Sequence, residues 1–260
     1  MKRLLTTLLI LSLVFSCSDQ DSNPDLNTGD LVKEIIVHSS ANNQPITKYQ
    51  LQYDGQNYTS AVVFTKINSE PLFDPEPKKV ITFEYDDDGF IAQIDEKNDV
   101  SAQSYSSHIY RVVENVMVHE EYFLYRIGFK KGETNRSMYF KNPEDGFYLF
   151  EEKLYEIQGG NLVGLGTINE FDGGDLDQFN RKWDMSDRFF DNNPNVFANP
   201  AINYILGDKK MSRSLNRNNL TGVLDRGSSG NIPQIEFIYN GDKIDSIIDH
   251  LTGDVVQFIY

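Results

Sequence analysis

Residues 234–249 read Gln-Ile-Glu-Phe-Ile-Tyr-Asn-Gly-Asp-Lys-Ile-Asp-Ser-Ile-Ile-Asp. Ile235, Phe237 and Tyr239 alternate with Gln234 and Glu236, so an extended chain puts its larger apolar groups on one face. Asn240-Gly241 then tolerates the positive φ angles of a two-residue type I′ turn, whose twist matches the antiparallel strands it joins. The phrase recurs as Tyr49, Leu51 and Tyr53 before Asp54-Gly55, and as Ile81, Phe83 and Tyr85 before Asp86-Asp87-Asp88-Gly89. Such repetition predicts a succession of β-hairpins.

Outward from these hairpins, strands are expected over 31–38, 47–53, 57–67, 80–85, 90–95, 109–118, 122–130, 136–141, 147–157, 161–171 and 255–260. On 122–130, Phe123, Tyr125, Ile127 and Phe129 share a face. Pro71, Pro75 and Pro77 make 70–77 a connection, since each proline removes a ladder donor. Lys131-Gly132-Glu133-Thr134 and Asn142-Pro143-Glu144-Asp145-Gly146 read as turns. The short connections imply antiparallel neighbours. Asp172 to Asn231 breaks the rhythm and reads as one irregular, partly helical insertion. Leu176, Phe179 and Trp183 have helical spacing. Asn199-Pro200, with Ile202, Ile205 and Leu206 before Gly207, carries the Pro-first, Gly-after signature of a short helix. Lys209, Lys210, Arg213 and Arg217 are a local basic cluster in an acidic chain.

The amino terminus carries an address. Lys2 and Arg3 precede an apolar run, Leu4 to Phe15, of signal-peptide length and too short to span a bilayer comfortably. Val14-Phe15-Ser16-Cys17 follows and resembles a bacterial lipobox, in which Cys17 is cleaved at its amino side and acylated. We therefore expect a lipoprotein signal peptide over 1–16, a disordered tether over 17–30, which is polar and contains Pro24 and Gly29, and a single β domain over 31–260. Acidic residues after the cysteine resemble the surface-export signal of Bacteroidota lipoproteins. An outer-membrane lipid anchor at the cell surface is the expected location, with a periplasm-facing anchor as the alternative. Cleavage removes two cations and no acid, moving the formal charge from −15 by two to −17. A surface that acidic disfavours nucleic acid. Cys17 is the sole cysteine, so no disulfide forms within one chain and the fold depends on its core.

Two sets of residues suggest a family. Ile81-Thr82-Phe83-Glu84-Tyr85-Asp86 with Gly89-Phe90-Ile91 resembles the Tyr-Asp phrases of secreted YD-repeat proteins. Phe190-Asp191-Asn192-Asn193-Pro194-Asn195-Val196-Phe197, followed by Ser214-Leu215-Asn216-Arg217-Asn218-Asn219, resembles a pair of motifs in Bacteroidota lipoproteins of unknown function with a porin-like fold. The resemblance implies a large curled antiparallel sheet or a barrel-like meander, and supplies no catalytic residues.

No residue pattern marks a reaction. His38, His108, His119 and His250 lack the three- or four-residue spacing that gathers imidazoles on a helix, so neither a metal nor a cofactor is expected. Neither a Gly-x-Ser-x-Gly elbow nor a free cysteine nucleophile is present. Gly173-Gly174-Asp175 and Asp86-Asp87-Asp88 could hold calcium only weakly, and a solvated turn is the simpler reading. A glycoside hydrolase using two carboxylates from distant strands stays open. The last residues, with Val256, Phe258 and Tyr260 on one face, resemble the terminal signal of outer-membrane barrels, although a soluble sheet ends the same way. Trp183, Phe189, Phe190 and Tyr204 could either pack the insertion onto the sheet or stack on sugar rings. The expectation is a non-catalytic, lipid-anchored binding protein for a glycan or protein partner. A structural envelope component is the alternative.

Overall fold

A computed structural model describes residues 31–66, 73–98, 104–113, 116–125, 128–139, 144–151, 153–167, 185–207, 216–225 and 234–260. Cys17, Leu176, Phe179 and Trp183 lie outside them, as do the expected signal peptide and tether. The strands are β1 (Glu34–His38), β2 (Pro45–Asp54), β3 (Asn57–Thr65), β4 (Lys79–Tyr85), β5 (Ile91–Asn98), β6 (Ser104–Val113), β7 (Val116–Tyr125), β8 (Gly128–Met138), β9 (Gly146–Phe150), β10 (Lys153–Gln158), β11 (Asn161–Thr167), β12 (Met185–Pro194), β13 (Asn218–Asp225), β14 (Ile235–Asn240), β15 (Lys243–Asp249) and β16 (Val255–Ile259). A 3-10 turn (Val196–Ala198) and helix α1 (Pro200–Ile205) follow β12.

The protein is all-β, with two antiparallel sheets. Eleven strands run in the order β14-β15-β16-β1-β2-β3-β4-β5-β6-β7-β8, and five in the order β13-β12-β11-β10-β9. The large sheet is not closed into a barrel; β14 and β8 are its edges. The smaller sheet meets both. Gln234 N donates to Thr221 O (3.0 Å), linking β13 to β14, and Met138 at the end of β8 packs with Tyr155, Ile157 and Leu162.

One face of the large sheet is apolar, and it curls around α1. Ile35, Leu51, Tyr58, Ala61, Val63, Ile81, Phe83, Ile94 and Met117 form a single buried cluster with Phe197, Ala201, Ile202, Tyr204 and Ile205. Helix α1 forms where Asn199 Oδ1 accepts from Ala201 N (3.0 Å) and Ile202 N (3.3 Å), with Pro200 at its first position. It ends at Gly207, whose φ of 94° suits glycine. The opposite face is mostly polar, with Ile36, Val62, Phe64 and Val80 among its apolar members. A directly opposed row runs Gln52–Ser60–Thr82–Asp95–Ser107–Tyr122–Lys131, against the inner row Leu51–Ala61–Ile81–Glu96–Ser106. A barrel that spans a bilayer needs the reverse alternation, with apolar groups outward.

Several expectations are corrected. Val113 pairs with Val116, so the expected strand 109–118 belongs to two antiparallel strands, β6 and β7. Phe150 pairs with Lys153, so a turn, with Glu151 at φ 54°, divides 147–157. β8 continues through Lys131-Gly132-Glu133-Thr134, the expected turn, with a bulge where its pairing to β7 shifts register between Glu120 and Tyr122. Gly132 is there for close approach: a Cβ would lie 2.7 Å from Phe123 Cε2. At 240–243 only Gly241 has positive φ (69°), in a loop closed by Asn240 opposite Lys243, which is the φ pattern of type II′ and not of type I′. Within 172–231, β12 and β13 add regular structure to the expected helix.

Candidate functional site

The inner face is not uniformly apolar. Where β4–β7 meet α1, it carries Lys79, Glu96, His108, His119 and Glu121, with Tyr204 descending from the helix. Cross-strand pairing sets this up: His108 lies opposite Glu121, and Tyr110 opposite His119, so the two histidines are diagonal neighbours on one face. His108 is 0 % and His119 4 % exposed. Their rings stack, and His108 Nδ1 and His119 Nε2 share a hydrogen bond at 3.0 Å. Tyr110 stacks on His119, and the Tyr204 ring meets His108 edge-on. Glu121 Oε1 stands 3.7 Å from His108 Nε2.

Tyr204 is 3 % exposed, and its hydroxyl donates to Glu96 Oε1 (2.8 Å). Burial and the adjacent Glu96 carboxylate push this phenol well above its ordinary value, so it stays a donor. Lys79 Nζ holds the second Glu96 oxygen at 2.9 Å. The arrangement could pass a proton between imidazoles, but its histidines are sealed from any substrate. The Tyr204–Glu96–Lys79 contacts anchor α1 to the sheet.

The two asparagine motifs meet in a second network. Asn219 Nδ2 donates to Pro194 O (3.0 Å) and Asp191 Oδ2 (3.2 Å), while its Oδ1 accepts from Val196 N (2.9 Å). Asn195 Nδ2 donates to Asn216 O (2.7 Å), and Asn216 Oδ1 accepts from Leu162 N (2.9 Å). Asn161 and Asn218 bond each other through side chain and backbone. The Tyr239 hydroxyl on β14 donates to Asp191 Oδ2, and burial together with that carboxylate raises its pKa. An asparagine side chain carries the donor and acceptor of a peptide group, so it can satisfy backbone where the ladder stops. These motifs lock β11, β12 and β13 to the turn before α1.

The aromatic residues proposed for sugar stacking therefore separate. Tyr204 is a core residue under α1. Phe189 and Phe190 are half-buried on β12, opposite Gly222 and Leu220 of β13. Trp183 lies outside the described residues. Asp86 Oδ1, in the acidic turn, accepts from Asp88 N (3.0 Å) and Phe90 N (2.8 Å), so this carboxylate shapes the turn. Among the described residues no group of three or more His, Cys, Asp or Glu is placed to hold a metal. Helical spacing missed the histidine pair because it forms across a hairpin; the register of β6 on β7 was the signal that could have found it.

No family model matches the chain, and no curated protein matches it. One similar solved structure is a porin-like protein from Bacteroides vulgatus ATCC 8482, 10% identical, with a TM-score of 0.39 over 88% of this chain and 98% of that one. That likeness is too distant to assign a function.

Proposed function

We propose that this chain is a lipid-anchored, surface-exposed protein that binds a glycan and performs no chemistry of its own. The observation that carries the reading is the sealing of the histidine pair and Tyr204 beneath α1, inside a sheet whose outer face is mostly polar. A pore needs a wet interior, and an enzyme needs its titratable groups within reach of substrate. The lipobox-like Val14–Cys17 stretch and the acidic residues behind it support the anchor and the surface location.

Topology gives the anchored molecule a direction. Leu31, where the tether would join, lies at the end of the sheet that carries the tight turns at Gly55, Gly89 and Gly241; Val32 N donates there to the Tyr58 hydroxyl (2.9 Å). The connection 66–78, between β3 and β4, leaves from the other strand ends. An anchor at Cys17 would join the chain at the tight-turn end and leave the opposite strand ends toward a ligand.

The test pairs anchoring with binding. Cys17→Ser should abolish lipid labelling and release the protein from the membrane fraction. The purified full-length chain should then bind one polysaccharide class on a glycan array, saturably and without releasing reducing ends. Release of reducing ends would make it a hydrolase. Ion conductance in planar bilayers would contradict the filled interior, and co-purification with an envelope complex in the absence of glycan binding would favour a structural role.

A further inference from the structure

We infer that the stacked pair of His108 and His119 is an acid-sensitive latch, which holds helix α1 on the sheet while it carries at most one extra proton and frees the helix when a second arrives. The latch is independent of the binding role proposed above.

The hydrogen bond between His108 Nδ1 and His119 Nε2, at 3.0 Å, needs one nitrogen that carries hydrogen and one that offers a lone pair. In either tautomer the neutral pair keeps one further unprotonated nitrogen, outside that bond. A first proton can go there and leave the shared bond intact. Glu121 Oε1, 3.7 Å from His108 Nε2, favours the resulting charge. Both nitrogens outside the bond are then protonated, so a second proton can only take the lone pair inside it. Two N–H groups would face each other across the 3.0 Å contact, on two cations whose ring centroids lie 5.3 Å apart. With His108 0 % and His119 4 % exposed, water cannot screen that repulsion.

Among the described residues, the other titratable groups on this face do not offset a second charge. On β5, Glu96 is engaged with Lys79 of β4 (2.9 Å) and the Tyr204 hydroxyl (2.8 Å). On β6 and β7 the pair is flanked by Tyr110 and Glu121. On β8, Lys130 opposite Phe123 and Glu133 in the bulge opposite Glu121 are exposed. Helix α1 adds the Tyr204 phenol and no charged residue.

The conflict is relieved where the packing is weakest. β6 and β7 are paired continuously from Tyr105–Leu124 to Val113–Val116. By contrast, α1 has 6 residues and is too short to persist without its contacts. Its Tyr204 ring lies edge-on to His108, with centroids 5.3 Å apart. Lifting α1 lets water reach both rings, where each takes a proton near its ordinary value of about 6.5. The open form then binds one proton more than the latched form. Latching is therefore complete above the histidine range and weakens as pH falls below it, by about tenfold per pH unit.

Hydrogen exchange of the full chain, read by mass spectrometry from about pH 7.5 to about pH 5 and corrected for intrinsic rates, tests the latch. Protection of amides in 196–207 should fall about tenfold per unit below about pH 6, while 49–63 on β2 and β3 keeps its protection. His119→Gln retains an amide oxygen that can accept from His108 Nδ1 and takes no proton itself. The remaining imidazole can then charge without breaking the bond, so the pH dependence of 196–207 should disappear. Constant protection of 196–207 in the wild type overturns the inference, and so does an unchanged pH dependence in His119→Gln. Simultaneous loss of protection over the whole sheet would mean global unfolding and no latch. If His119→Gln is unfolded at neutral pH, imidazole nitrogen chemical shifts of the wild type decide. Both rings charged while 196–207 stays protected would overturn the latch; the second ring charging together with the loss of protection would support it.

Discussion

Glu120 shows how a single side chain ties stability to pH. On the outer face it accepts from Lys131 and Arg111, and Tyr122 Oη lies 3.3 Å away. The Lys131 bond is the largest of the influences that hold its carboxyl below the ordinary value of 4.5. A depressed folded-state value means that the unfolded chain binds the proton more tightly. Its stabilisation is therefore complete above the unfolded value and is lost as pH falls through the folded one. Thermal unfolding from about pH 6 down to about pH 2 should show a shallower acid loss in Glu120→Gln than in the wild type; parallel curves would mean that the cluster contributes nothing. Tyr204 supplies a second test. Tyr204→Phe removes one buried hydrogen bond and should cost about 1 kcal/mol. Tyr204→Ala also leaves a cavity against His108 and should cost roughly 3 to 5 kcal/mol. Equal, negligible losses in denaturant titrations would return Tyr204 to the surface as a ligand platform.

Among the elements, the hairpins reveal what a sequence can show. The β2–β3, β4–β5 and β14–β15 hairpins were legible because Gly55, Gly89 and Gly241 occupy positive φ between alternating runs. The β9–β10 turn was not, since it places Glu151 rather than a glycine at φ 54°. Gly132 misled in the opposite sense, being a glycine required by packing under Phe123 and not by a turn. These roles predict different mutational costs. Gly132→Ala forces Phe123 aside and should cost roughly 1 to 3 kcal/mol by overpacking. Gly241→Ala meets no atom within 4 Å and should cost only the roughly 1 kcal/mol of a positive φ. Chemical denaturation ranks the two, and the reverse order would refute the assignment of Gly132. The asparagine motifs were legible as a pair, but their work was not, because it depends on Asn161 and Tyr239 from distant strands. Asn219→Ala should lose about 1 to 3 kcal/mol, since it leaves Val196 N unpaired.

For the molecule as a whole, alternation of side chains identified an all-β antiparallel chain, and a short helix at 200–205 was readable from Asn199, Pro200 and Gly207. That the helix fills the curled sheet was not readable, because it depends on contacts among residues far apart in the chain. The account stands on the resulting polarity, apolar groups inward and polar groups outward, and cysteine accessibility tests it most directly. Single cysteines at outward Thr82 and Gln93 and at inward Ala61 and Ile94 would be introduced into the full-length chain expressed in cells, whose only native cysteine is Cys17. The account predicts rapid labelling of positions 82 and 93 by a membrane-impermeant maleimide, and labelling of 61 and 94 only after denaturation. Protection of 82 and 93 by lipid, with ready labelling of 61 and 94, would contradict it and make the sheet the wall of a water-filled pore.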